Sequence, residues 1–129
     1  MSREYQPKHN NPYVLPHNLY MHVLYLVRDY DRMKAQMDDI LFMSQAPDGM
    51  PRGSQIGDPT GNKAVQVAFL NNQIQAIEQA LAKVPAEYRK GVFDNVRYGG
   101  WFPFDASDRT YRRWKQRFLY FVGKNLMYF

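Results

Sequence analysis

Apolar residues in this chain recur at intervals of three and four and nowhere alternate. That spacing places them on one face of an α-helix and leaves no candidate strand, so the expected class is all-α. Leu19, His22, Val23, Leu26 and Val27 mark a first helix, opened by Pro16, since proline is accepted in a first turn. Tyr30, Met33, Met37, Ile40 and Leu41 mark a second. The join at Arg28–Asp31 reads as either a bend or a continuous helix, with Asp29 or Asp31 available as a cap. Val65, Phe69, Ile74, Ile77, Ala80, Leu81 and Val84 define a third helix, capped by Thr60 or Asn62 and ended by Pro85. A fourth spans Ala86 to Tyr98, where Gly99 and Gly100 stop it. The last begins near Ser107, with Tyr111, Trp114, Phe118, Phe121, Val122 and Leu126 as its buried stripe and Asp105 or Ser107 as its cap. The expected architecture is a small bundle of about five helices with a long Gly/Pro loop and a C-terminal basic helix.

At 129 residues the chain is one domain in size and long enough to bury a core without staples. It has 45% hydrophobic and 16% aromatic residues, a composition that folds. The absence of cysteine removes disulfides, thiolate metal sites and cysteine nucleophiles. No apolar run approaches the roughly 20 residues that span a bilayer, and the polar N-terminus lacks the apolar core of a signal peptide. A cytoplasmic protein is therefore expected, with no membrane contact. Residues 1–15 read as a flexible arm and 16–43 as an N-terminal helical hairpin. Residues 44–61 read as a loop or linker dense in proline and glycine, and 62–129 as a C-terminal domain. The aromatic run Trp101-Phe102-Pro103-Phe104 is expected to plug an edge of the core. The Tyr- and Met-rich stripe of the hairpin reads as core, or alternatively as a homodimer or partner surface.

The charge is unevenly placed. Residues 1–84 hold eight Lys and Arg against eight Asp and Glu, whereas residues 85–129 hold nine against four. The whole excess of +5 thus lies in the last third, which is the footprint of a phosphate-binding surface. Arg109, Arg112, Arg113, Lys115, Gln116 and Arg117 fall largely off the aromatic stripe of the last helix. Arginine forks on the N-terminal half of an anchored helix suit guanine edges or phosphates in a major groove. Thr110 and the unpaired N–H groups of the first turn suit a phosphate as well.

Other features carry no comparable chemistry. Gly57 to Lys63 has the wrong glycine spacing for a phosphate loop, and Ala64 stands where a hydroxyl is needed. His17 and His22 are five residues apart and do not share a helix face as metal ligands would. Asp38 and Asp39 are adjacent, so their side chains diverge by about 100° on a helix. No serine sits in an elbow or beside a base. Without a nucleophile–base pair, no enzyme, metal or cofactor is expected.

The stretch ASDRTYRRWKQRFLYFVGKNL resembles the C-terminal helix of phage late-gene transcriptional regulators of the RinA and ArpU type, themselves related to the fourth region of bacterial sigma factors. Their Ser-x-Arg-Thr-x-x-Arg-x-Lys pattern is met by Ser107, Arg109, Thr110, Arg113 and Lys115. NQIQAIEQALAKV followed by VPAEYRKGVFDNV is similar to that family's paired preceding helices, and GDPTGNKAVQ and DYDRMKAQMDDI also resemble such proteins. The segment GGWFPFDA is too short for the usual supporting helix, so the helix-turn-helix is shortened. The resemblance implies a phage or prophage regulator in a bacterial cytoplasm, with double-stranded DNA as ligand and the first two helices contacting host RNA polymerase or another subunit. Two alternatives stay open: an inhibitor that sets a basic helix against a host protein, and a small DNA-packaging subunit.

Overall fold

The structure, a computed structural model, describes residues 6–45 and 59–129. It contains five helices: α1 (His17–Arg28), α2 (Tyr30–Gln45), α3 (Pro59–Ala82), α4 (Ala86–Tyr98) and α5 (Asp108–Asn125), with no strand among the described residues. The all-α bundle anticipated from periodicity is therefore the fold. Most of the Gly/Pro loop lies outside the described residues. Its last part does not: α3 begins at Pro59, before the Thr60 or Asn62 cap read from the sequence, because a helix tolerates proline in its first turn.

The junctions follow local chemistry. At Asp29 the backbone turns to φ −88°, ψ 2°, and its N–H reaches back to Tyr25 and Leu26 carbonyls. The second helix then restarts with Met33 N–H on the Asp29 carbonyl, at 3.0 Å. The join is thus a bend. Pro85 separates α3 from α4, and Arg89 pins the corner by donating to the Val84 and Ala82 carbonyls at 2.7 and 2.9 Å. Gly99 and Gly100 take φ of +77° and +91°, conformations that a Cβ would strain, and end α4.

One hydrophobic core joins all five helices. Tyr20, Val23, Leu24 and Val27 of α1 meet Ile74, Ile77 and Ala80 of α3, Val92 and Val96 of α4, and Phe118, Leu119 and Val122 of α5. The helical hairpin assigned to 16–43 is accordingly not a unit apart from 62–129, and most of its Tyr/Met stripe is core. Beyond Met37 on α2 and before Leu70 on α3, Ile40 and Val67 still pack against this core, but Leu41, Phe42, Met43, Val65 and Phe69 are exposed.

The N-terminal segment departs from the flexible arm read in the sequence. From Gln6 onward it is fastened across α5. Gln6 and Leu15 exchange two hydrogen bonds of 2.9 Å, from Gln6 Nε2 to the Leu15 carbonyl and from Leu15 N–H to Gln6 Oε1. Tyr13 packs edge-on against Tyr120 and Phe121, with ring centroids 5.1 and 5.9 Å apart. Such aromatic pairs add to plain area burial, so this proline-punctuated stretch is held by packing although it has no regular structure.

Between α4 and α5 the chain is anchored at alternate points. Phe102 stacks on the buried Tyr111 ring at 5.2 Å and 11°. Pro103 lies over Gly91 in the middle of α4, where a Cβ would come within 2.8 Å of Pro103 Cδ and 2.7 Å of Tyr111 Cε1. Asp105 accepts a 2.5 Å hydrogen bond from the Tyr111 hydroxyl, and Asn95 Nδ2 holds the Gly100 carbonyl at 2.9 Å.

Candidate nucleic-acid interface

α5 carries its apolar stripe along its length but presents most of its exposed residues in its first two turns. Ser107 caps it: its Oγ accepts from Thr110 N–H at 3.2 Å and lies 3.0 Å from Thr110 Oγ1. A serine at this position satisfies one of the orphan first-turn donors. The Thr110 N–H is therefore taken by the cap, and its hydroxyl lies within hydrogen-bond reach of the same Ser107 Oγ. Asp105, the other candidate cap, is engaged by Tyr111 instead.

Arg109, Arg112 and Arg113 are exposed, and no carboxylate among the described residues pairs with them. Arg109 and Arg113 stand about one turn apart, roughly 6 Å along the axis. From Trp114 to Gly123 no residue of α5 is fully exposed. Three of the residues read as a nucleic-acid face fall in this enclosed part.

Gln116 is the clearest correction. It is 3% exposed, and its Nε2 donates to Gln6 Oε1 at 2.8 Å and to the Tyr13 carbonyl at 2.6 Å. Its Oε1 has no hydrogen-bond partner. Arg117 is half-buried, with its guanidinium 4.9 Å from both the Tyr13 and Trp114 ring centroids and its Nε buried without an acceptor. A cation held between two aromatic faces is a packing element. Lys115 is half-buried and has a partner within the protein. Gln116 and Arg117 share one physical reason: the 6–15 segment, through Gln6 and Tyr13, covers the side of α5 that periodicity assigned to solvent.

The other cations of the last third are also used internally. Lys90 and Arg97 pair with Asp94, at 2.7 and 3.0 Å, and Arg97 also pairs with Asp31 at 2.8 Å. Arg97 lies 3.8 Å from the Phe93 centroid, and Lys124 sits over Phe129 at 5.4 Å. Arg89 holds the α3–α4 corner. The cations of the last third without such a contact, Arg109, Arg112 and Arg113, thus gather at the start of α5.

The aromatic loop differs from its expected role as a plug. Only Phe102 turns inward. Trp101 and Phe104 are 89% and 95% exposed. Sequence reasoning missed these two as surface residues. The run WFPF has no periodicity to say which ring faces in, and the slot that selects Phe102 and Pro103 is formed by Gly91 and Tyr111, remote in sequence.

No protein-family model matches the chain, and no curated protein or solved structure shows significant similarity to it.

Among the described residues no group of His, Asp and Glu is placed to hold a metal. No helix among them is long and apolar enough to cross a membrane. An open hollow between the ends of α2 and α3 is lined by Asp39, Ile40, Met43, Asn62, Lys63 and Gln66, a set without a nucleophile–base pair.

Proposed function

We propose that the protein binds double-stranded DNA through the N-terminal end of α5, acting as a DNA-binding regulator of transcription of the phage late-gene type rather than as an enzyme. One observation carries the reading: Arg109, Arg112 and Arg113 stand exposed and unpaired with carboxylates of the described residues on two turns of a firmly anchored helix, while the remaining cations of the last third are engaged. Guanidinium forks so placed engage phosphates and guanine edges bidentately. The rest of α5 serves as the anchor. The contact is therefore short, a helix tip set against the DNA rather than a helix lying along the groove.

Fluorescence anisotropy with a labelled duplex tests this. Three phosphate contacts give a logarithmic salt slope near −2.7, so affinity falls roughly 40-fold between 50 and 200 mM salt. The R109A/R112A/R113A variant is expected to keep its fold and lose both the affinity and the slope. A wild-type protein that ignores duplex DNA at low salt, or binds it with a flat salt response, overturns the proposal.

A further inference from the structure

We infer that the loop between α4 and α5 is a stacking platform for unpaired bases, with Trp101 and Phe104 taking bases while Arg109, Arg112 and Arg113 hold the phosphates of the same strand. This rests on the reading of α5 as a nucleic-acid contact, and adds the form of nucleic acid preferred: one with an unpaired stretch. Two large rings at 89% and 95% exposure are unusual for a chain with a complete core. Fully burying such a ring is worth about 1.5–3 kcal/mol, so leaving both in water forgoes that stabilisation.

The loop that carries them is not slack. Phe102 is stacked on Tyr111, Pro103 fills the slot over Gly91, Asp105 is tied to the Tyr111 hydroxyl and Asn95 holds Gly100. Rings displayed from a fastened loop lose little conformational freedom on binding. Their position is set by the same contacts. Phe102 neighbours Trp101 in the chain and packs on Tyr111, which neighbours Arg112, so the loop and the first turns of α5 lie at one end of the molecule.

The chemistry at that end selects the ligand. Aromatic faces accept any base, and arginines beside them hold the backbone, the combination by which single strands are bound without sequence preference. Paired bases in an intact duplex offer no face to a ring outside the stack. Two carboxylates belong to the same end: Asp105, occupied by Tyr111, and the exposed Asp108 in the first turn of α5.

Three labelled DNAs of equal length test the inference: an intact duplex, the same duplex with a central bubble of unpaired thymines, and oligothymidine. Wild type is expected to prefer the bubble and the single strand over the intact duplex. W101A/F104A is expected to lose at least about fivefold in affinity for these two while binding the intact duplex unchanged. W101F retains a ring and is expected to keep the preference. Trp101 emission should be quenched on binding in a W114F background, and the quench seen with wild type should vanish in W101F. R109A/R112A/R113A is expected to weaken all three. If W101A/F104A discriminates the three DNAs as wild type does, or loses affinity equally on all of them, the stacking role is wrong while the role of α5 stands. If wild type binds none of the three at low salt, both readings fall together.

Discussion

Replacing Gln116 by alanine separates a residue that holds the fold from one that touches DNA. Its Nε2 makes two hydrogen bonds, to Gln6 Oε1 and to the Tyr13 carbonyl, each worth about 1 kcal/mol net. Gln6 Oε1 keeps its bond from Leu15 N–H when Gln116 is lost, so only the Tyr13 carbonyl is left short of this donor. That shortfall costs roughly a further 1–3 kcal/mol. Truncation also leaves a space at a position only 3% exposed. One gain offsets these losses: the partnerless Oε1 disappears with the side chain. The balance is a destabilisation of about 2–4 kcal/mol, a large part of the roughly 5–15 kcal/mol that holds a domain together. Urea unfolding should show it as a lower midpoint at unchanged slope, and thermal melting as a fall on the order of 10 °C. Gln116→Met, similar in length but without hydrogen-bonding groups, divides packing from polar loss and should fall between wild type and alanine. Duplex affinity, measured where each variant is folded, should be unchanged. A Q116A protein as stable as wild type, or one that is stable but has lost DNA binding, refutes the assignment.

The remaining predictions concern titration. The Tyr98 hydroxyl and the Arg97 guanidinium hold Asp31 below its ordinary 3.8, and Lys90 with Arg97 does the same for Asp94. A depressed carboxylate contributes stability that is complete above about pH 3.8 and is lost as pH falls through the folded-state value. Melting temperature should therefore drop below pH 4, and D31N should flatten that acid limb while costing at most about 1 kcal/mol at neutrality, the scale of an exposed pair. Equal acid limbs in wild type and D31N would exclude this role for Asp31. Burial, reinforced by Glu78, pushes Tyr30 up to about 12, and burial with Asp105 does the same for Tyr111. Folding favours their neutral forms, so this contribution is complete below pH 10.0 and is lost as pH rises towards 12. Near pH 11, tyrosinate absorbance of the folded protein, with its ten tyrosines, should fall short of that of the urea-unfolded protein at the same pH. Equal tyrosinate absorbance of the folded and unfolded protein at that pH would contradict both assignments.

Where a boundary is written as punctuation, the sequence is a faithful guide. α4 runs Ala86–Tyr98 as read, because Pro85 opens it and Gly99 closes it, and both act through backbone chemistry that no distant contact overrides. Ser107 likewise announces α5. The stripe Tyr111, Phe118 and Val122 is buried as its spacing demands. Periodicity states which face of a helix is apolar, however, and not how many faces are covered. The second half of α5 is enclosed on its polar side too, by a stretch whose prolines and asparagines suggested a loose arm. Reading that arm as loose and reading Gln116 and Arg117 as solvent-facing are one error, since Gln6 and Tyr13 are their partners. The exposed pair Trp101 and Phe104 was hidden for a different reason: a hydrophobicity scale sends every ring inward and is blind to how many the cavity can accept.

Gly91 controls more than its own position. At that point α4 is worn thin by the absence of one methyl group, and the loop and α5 both lean into the notch. Alanine there would gain up to about 1 kcal/mol of helix propensity, yet its new carbon would have to push Pro103 and the Tyr111 ring outward together. Tyr111 stands between Thr110 and Arg112, and Pro103 between Phe102 and Phe104, so the strain would fall where the loop meets the start of α5. A residue hidden inside the bundle thereby sets how closely the loop and α5 can approach α4, as a shim sets the gap of a hinge.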